Sequence, residues 1–171
     1  VDESSITGAE LDIQWLPSDG FTLGVSMAWL DTEIDKWQAV DADKSEWLVQ
    51  TSYFDASGGK LAQAPELSYT ALASYEWRTS GDYLMGIAAD VSYTDDTSGG
   101  VLREDATEDY TILNARVSLS DASGKWKTMI WVRNLADEDY YPSAFLGGNG
   151  PYVRSMGMPR TAGVSFSYSL K

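Results

Sequence analysis

Residues 160–171 read Arg-Thr-Ala-Gly-Val-Ser-Phe-Ser-Tyr-Ser-Leu-Lys and alternate strictly between apolar and small polar side chains. Ala162, Val164, Phe166, Tyr168 and Leu170 share one parity; Thr161, Gly163, Ser165, Ser167 and Ser169 share the other. A period of two puts the sets on opposite faces of a strand. An apolar face backed by a small polar one fits a barrel wall with lipid outside and water inside.

The same pattern recurs along the chain and predicts seven strands. The first, 8–16, sets Leu11, Ile13 and Trp15 against Glu10, Asp12 and Gln14. The second, 21–33, sets Phe21, Leu23, Val25, Met27 and Trp29 against Thr22, Gly24, Ser26 and Ala28. The third, 66–78, and the fourth, 83–94, carry Leu67 to Trp77 and Tyr83 to Tyr93 on their apolar faces. The fifth, 109–120, the sixth, 126–134, and the terminal stretch complete the set. Pro17-Ser18-Asp19-Gly20, Thr79-Ser80-Gly81-Asp82 and Asp121-Ala122-Ser123-Gly124-Lys125 are tight turns, with residues suited to turn dihedrals. Between them lie the longer connections 34–65, 95–108 and 135–159.

Connections thus alternate short and long, so all tight turns fall at one end of the sheet and all long loops at the other. Outer-membrane barrels have this asymmetry, with tight periplasmic turns and long extracellular loops. The parity puts the C-terminus on the short-turn, periplasmic side. A strand from Tyr83 to Tyr93 is roughly 33 Å long. Tilted as such strands are, it covers the apolar band of a barrel, roughly 25 Å tall. Trp15, Phe21, Trp77, Tyr83 and Trp126 lie beside the short turns; Trp29, Tyr69 and Tyr93 lie near the long loops. Two belts of amphipathic rings are what two membrane interfaces favour. A soluble β-sandwich also alternates, but the strands here exceed the usual soluble length of about 5–6 residues. The expected fold is therefore all-β, an antiparallel up-and-down transmembrane barrel wall.

Composition narrows the function. The chain has neither Cys nor His, which removes disulfides, thiolate metal sites and the commonest catalytic base. A formal net charge of −14 argues against nucleic acid as a partner. No run of 18 apolar residues exists to form a transmembrane helix. The opening Val-Asp-Glu-Ser-Ser carries no signal peptide and reads as mid-chain sequence. Without His or Cys the usual nucleophile–base pairs cannot form, so no enzyme and no cofactor is expected.

The long loops hold the binding candidates. They are acidic, and Asp41-Ala42-Asp43-Lys44-Ser45 has the spacing that starts a calcium loop. Glu46 and Ser52 stand where that loop needs Gly and a bidentate acid, so solvated acidic loops are the favoured reading and no metal site is assigned. Trp37, Trp47, Tyr53, Tyr140 and Tyr141 are candidates for stacking on a ligand, and Arg103 and Arg154 for gripping an anion. Packing between loops and pairing with nearby acids are the plainer alternatives. Glu10, Asp12, Glu76, Asp90, Arg116, Lys127 and Arg133 are expected to face the lumen, since a charge on the lipid face near mid-bilayer can cost about 2–4 kcal/mol.

Asn134-Leu135-Ala136-Asp137-Glu138-Asp139-Tyr140-Tyr141, followed by Gly157-Met158-Pro159-Arg160-Thr161 and the last strand, resembles the C-terminal end of TonB-dependent outer-membrane receptors. Ala64-Pro65-Glu66 and Asp109-Tyr110-Thr111-Ile112-Leu113-Asn114-Ala115-Arg116 look like the same family. The resemblance implies a barrel of about 22 strands around an N-terminal plug, of which residues 1–171 would be the C-terminal part. Neither a plug nor a TonB-contacting segment is recognisable. Seven is an odd number, whereas single-chain bacterial barrels use even ones. The family also often ends in an aromatic residue, where this chain has Ser169-Leu170-Lys171. The implied function is uptake of a scarce nutrient, such as a ferric siderophore, vitamin or carbohydrate, across the bacterial outer membrane with energy from TonB. The implied partners are outer-membrane lipid and lipopolysaccharide, the TonB complex through the missing N-terminal part, and a small-molecule ligand. The alternatives are a small passive barrel or adhesin and a soluble carbohydrate-binding sandwich.

Overall fold

A computed structural model describes residues 1–40, 52–98, 107–146 and 152–170. In chain order the strands are β1 (Glu3–Ser18), β2 (Phe21–Lys36), β3 (Gln38–Val40), β4 (Tyr53–Asp55), β5 (Leu67–Arg78), β6 (Tyr83–Thr94), β7 (Tyr110–Asp121), β8 (Trp126–Arg133), β9 (Ser143–Leu146), β10 (Tyr152–Ser155) and β11 (Thr161–Tyr168). No helix occurs among the described residues. Seven strands form one sheet in the order β1-β2-β5-β6-β7-β8-β11, every neighbour antiparallel. These are the seven strands expected from the alternation. The main difference is β1, which starts at Glu3 rather than near residue 8 because it stays paired with the end of β2 as far as Glu3↔Lys36. Two short hairpins, β3–β4 and β9–β10, lie in stretches expected to be plain loop.

The tight turns behave as their residues dictate. Gly20 has φ +77°, and a Cβ there would sit 2.0 Å from the Glu76 carbonyl oxygen of β5. Glu76 N–H donates to the Gly20 carbonyl at 2.8 Å, so the first turn is tied to the neighbouring hairpin. Gly124 has φ +71°, and the Trp126 N–H donates to the Asp121 carboxylate at 2.9 Å, closing the third turn.

Register places the apolar residues in continuous rows across the sheet. One runs Ile13, Val25, Ala71, Val91, Leu113; the next runs Trp15, Leu23, Ala73, Ala89, Ala115, Val132, Ala162. A one-residue slip at any pairing would turn a strand's apolar set to the other face. Among the described residues nothing covers this face. Ile87 is 47%, Val117 47%, Ile130 58% and Phe166 68% exposed. A soluble sandwich would bury such residues against a second sheet; among the described residues there is none. Among the described residues the buried apolar side chains, Ile34, Ala39, Ala56 and Ala144, lie at the long-loop end instead.

Candidate functional site: a two-faced wall and its loop rim

The opposite face carries the charges. Glu10, Asp12, Glu76, Asp90, Arg116, Lys127 and Arg133 all have the parity opposite to the apolar rows, as expected. Glu10, Asp12, Ser26, Thr70 and Ser92 line a shallow concavity of about 260 Å³ on this face. Further along, Asp90 accepts from the Asn114 amide at 2.7 Å and pairs with Arg116 at 3.3 Å. The acids gather on β1, β5 and β6 and the bases on β7 and β8. Trp131 also lies on the polar face. Its indole N–H donates to Ser165 at 3.1 Å, Arg133 stacks on its ring at 5.1 Å, and Gly163 lies so close below that a Cβ there would meet the ring at 2.4 Å.

Aromatic rings gather at both ends of the apolar face. Near the tight turns, Tyr75 stacks on Trp77 at 5.3 Å and tilts against Phe21 at 6.1 Å, while Tyr83 tilts against Trp126 at 6.0 Å. Trp15 lies on the same end of β1, opposite Leu23. Near the long loops, Tyr69 stacks on Tyr93 at 5.2 Å, and Trp29 lies opposite Leu67. Between the two groups of rings, no charged residue falls on the apolar face.

The loop candidates separate into two places. Trp37 and Tyr53 belong to the first loop: the Trp37 carbonyl accepts from Ala56 N–H at 2.9 Å, and Tyr53 on β4 is exposed and pairs in register with Val40. Tyr140, Tyr141 and Arg154 belong to the third. The Arg154 guanidinium stacks on the Tyr141 ring at 5.5 Å, a cation–π contact. Tyr140 packs on Tyr110 with ring centroids 4.7 Å apart and lies directly over Gly157. Its ring is thus engaged in holding the chain together. Trp47, Arg103 and the Asp41–Ser45 stretch lie outside the described residues.

The first and second loops meet around Lys60. The Lys60 ammonium bonds the Glu66 carboxylate, and Asp95 and Asp96 add to its field. That hydrogen bond pushes the Lys60 pKa up, with the three negative charges reinforcing it. Burial and the adjacent Asp95 charge push the Asp96 carboxyl up in turn. Gln63 N–H donates to the Ser98 carbonyl at 3.0 Å, tying the loops by backbone as well. Hydrogen bonds from the Ser57 hydroxyl and N–H hold the Asp55 carboxyl below its usual range. Among the described residues no group of three or more His, Cys, Asp or Glu is placed to hold a metal ion.

Residues that the loop reading passed over close the third loop at its base. Asn134, only 2% exposed, has φ +50°. Its side-chain amide donates to the Glu138 and Met158 carbonyls at 2.8 and 3.1 Å, and its oxygen accepts from Glu138 N–H at 2.9 Å. Asp137 accepts from Arg160 N–H at 2.9 Å and pairs with its guanidinium at 3.3 Å. The Asn-Leu-x-Asp and Pro-Arg-Thr segments are thus two halves of one hydrogen-bonded clasp.

A single antiparallel wall, apolar on one face with aromatic rings at both ends and charged on the other, is a segment of a membrane-spanning β-barrel. The chain belongs to the TonB-dependent receptor-like β-barrel family, whose model matches residues 1–135. Solved structures agree on the fold. The ferric yersiniabactin uptake receptor FyuA of Yersinia pestis matches with a TM-score of 0.74 at 15% identity over 95% of this chain. The siderophore receptor PiuA of Acinetobacter baumannii matches with 0.71 at 18% identity over 95% of it. The ferric-catecholate import receptor Fiu of E. coli K12, in its closed form, matches with 0.51 at 18% identity, again over 95%. The chain spans 23%, 21% and 27% of those three chains. A comparison with curated proteins gave no significant match.

Proposed function

We propose that residues 1–171 form the C-terminal part of the wall of an outer-membrane receptor that takes up a scarce nutrient with energy from TonB. A ferric siderophore, a vitamin or a carbohydrate is the ligand class. The family is one of transport receptors rather than enzymes, and wall residues of such a receptor perform no chemistry on the cargo. The whole barrel has about 22 strands and a plug in its lumen, with the plug and the TonB-contacting segment outside this chain. The observation that carries the reading is the segregation of charge: every charged residue in the band between the two groups of rings lies on one face. In a bilayer that face borders the lumen, and the uncovered apolar face meets lipid and lipopolysaccharide.

In this reading the rings of Trp15, Phe21, Trp77, Tyr83 and Trp126 sit at the periplasmic interface and those of Trp29, Tyr69 and Tyr93 at the outer one. Trp37, Tyr53, Tyr141 and Arg154 on the long loops are candidate ligand contacts, with Tyr140 at their base; Trp47 and Arg103 are candidates by residue type alone. The test uses outer membranes of cells expressing the full-length protein that contains this chain. The expected result is a protein extracted only by detergent, with an intact mass several times the 18.7 kDa of these residues, and nutrient-limited growth that depends on TonB. A detergent-extracted protein near that mass would overturn the receptor reading in favour of a small barrel. Growth support that is unchanged without TonB would overturn the energy coupling.

A further inference from the structure

We propose that the Asn134 clasp completes the wall beneath the third loop, so that the sequence between its two arms is a replaceable module. The wall itself stops at the pair Arg133↔Thr161. Immediately above, the arm 134–140 and the arm 157–160 are joined three times. The Asn134 amide reaches the Met158 carbonyl at 3.1 Å, Asp137 binds both the N–H and the guanidinium of Arg160, and Gly157 N–H donates to the Tyr140 carbonyl at 2.8 Å. The same arm is fixed to β7: Leu135 N–H donates to the Leu113 carbonyl at 2.7 Å, Asn134 N–H to the Asn114 side chain at 3.0 Å, and the Tyr140 ring rests on Tyr110. A Cβ at 157 would lie 2.2 Å from the Tyr140 ring, so any residue but glycine must displace that ring from its place on Tyr110.

Beyond Tyr140 and Gly157 the pattern changes. β9 and β10 pair with each other from Ser143↔Ser155 upward and belong to no larger sheet. The chain therefore leaves and re-enters the clasp at two adjacent points. Closing a loop between fixed points costs little more when the loop lengthens, because the entropy grows only with the logarithm of its length. Loop length and sequence can then vary while the register of β11 stays set by the clasp. This inference concerns the fold and stands apart from the transport reading.

The test is made in the full-length protein in outer membranes, read as the fraction that migrates as a folded, heat-modifiable barrel and resists protease. Replacing 142–156 with a short Gly-Ser turn is expected to leave the folded fraction within about twofold of the parent. Asn134→Ala, with the loop intact, is expected to lower it at least about fivefold, because the Glu138 and Met158 carbonyls and the Glu138 N–H lose the buried side chain that joins them. Combining the two separates the roles of Asn134. A low folded fraction in the double variant supports a clasp that serves the wall; recovery to the level of the loop replacement alone would overturn it, as would loss of folding on loop replacement or parental folding of Asn134→Ala.

Discussion

The two faces of this sheet are built by the same strands, one residue apart, yet they are governed by different constraints. On the apolar face the constraint is solvent: any side chain is acceptable if it carries no charge, and rows run from Ala73-Ala89-Ala115 to Tyr75-Ile87-Val117 with little regard for volume. On the polar face the constraint is local partnership. Asp90 has Asn114 and Arg116, Asp12 has Ser26, and Trp131 has Ser165 and Arg133. Leu72, Leu84 and Ile112 lie on the polar face too, so the polar face admits apolar groups while the apolar face between the rings admits no charge. A face turned to a bulk apolar solvent is selected by transfer energy, and one turned to a wet lumen by its neighbours.

Placing a charge at mid-strand is the strongest way to break that contrast. Val91→Arg is expected to destabilise the folded barrel by about 2–4 kcal/mol and to reduce its yield in outer membranes. A variant that assembles as well as the parent would show that the faces are wrongly assigned. Gly163→Val tests the packing under Trp131. It forces the indole aside, breaks its bond to Ser165 and is expected to cost about 1–2 kcal/mol, read from unfolding in urea. Asp90→Ala removes a half-screened pair with Arg116 and is expected to cost under about 1 kcal/mol, well below Val91→Arg in the same assay.

The smallest effect lies at the loop rim, beyond both faces. Lys60 titrates above its usual 10.5, so its contact with Glu66 stabilises the folded loop throughout the neutral range. That contribution is complete below the ordinary lysine value and is lost as pH rises through the raised one. Cleavage of the first loop by an alkali-tolerant protease should therefore accelerate as pH rises above 10.5 more in the parent than in Lys60→Met, which has no such contact to lose. Equal acceleration in both would dismiss the pair as a loop tie.

The contrast between faces also explains what could be read from the sequence. Strands whose faces meet different solvents must alternate, so β2, β5, β6, β7 and β11 announce themselves by residue type alone. Gly20 and Gly124 mark turns because backbone sterics permit little else at positive φ. The hairpins β3–β4 and β9–β10 gave no such signal. Gln38-Ala39-Val40 and Tyr53-Phe54-Asp55 are too short to show a period, and each strand's partner is separated from it by intervening loop. The clasp was half legible: its two segments stood out as motifs, but their union runs through the carbonyls of Glu138 and Met158, which every residue type possesses. Tyr140 shows the same limit from the other side. As an aromatic residue in a loop it suggested ligand contact, and its ring instead rests on Gly157 and Tyr110.

The alternation of tight turns and long loops sets a timetable as well as a shape. β1 with β2, β5 with β6 and β7 with β8 are each joined by a few residues, so each pair can meet soon after its second strand is available. The pairings β2–β5, β6–β7 and β8–β11 must wait for a loop to close. These residues thus hold three ribbons joined by tight turns, with β11 tied to β8 only across the third loop. Each late joint is open to the wrong neighbour until it forms, since an unpaired edge accepts any strand of suitable length. Among these late joints, the clasp sits at the one that β11 makes with β8, and holds its register from the loop side.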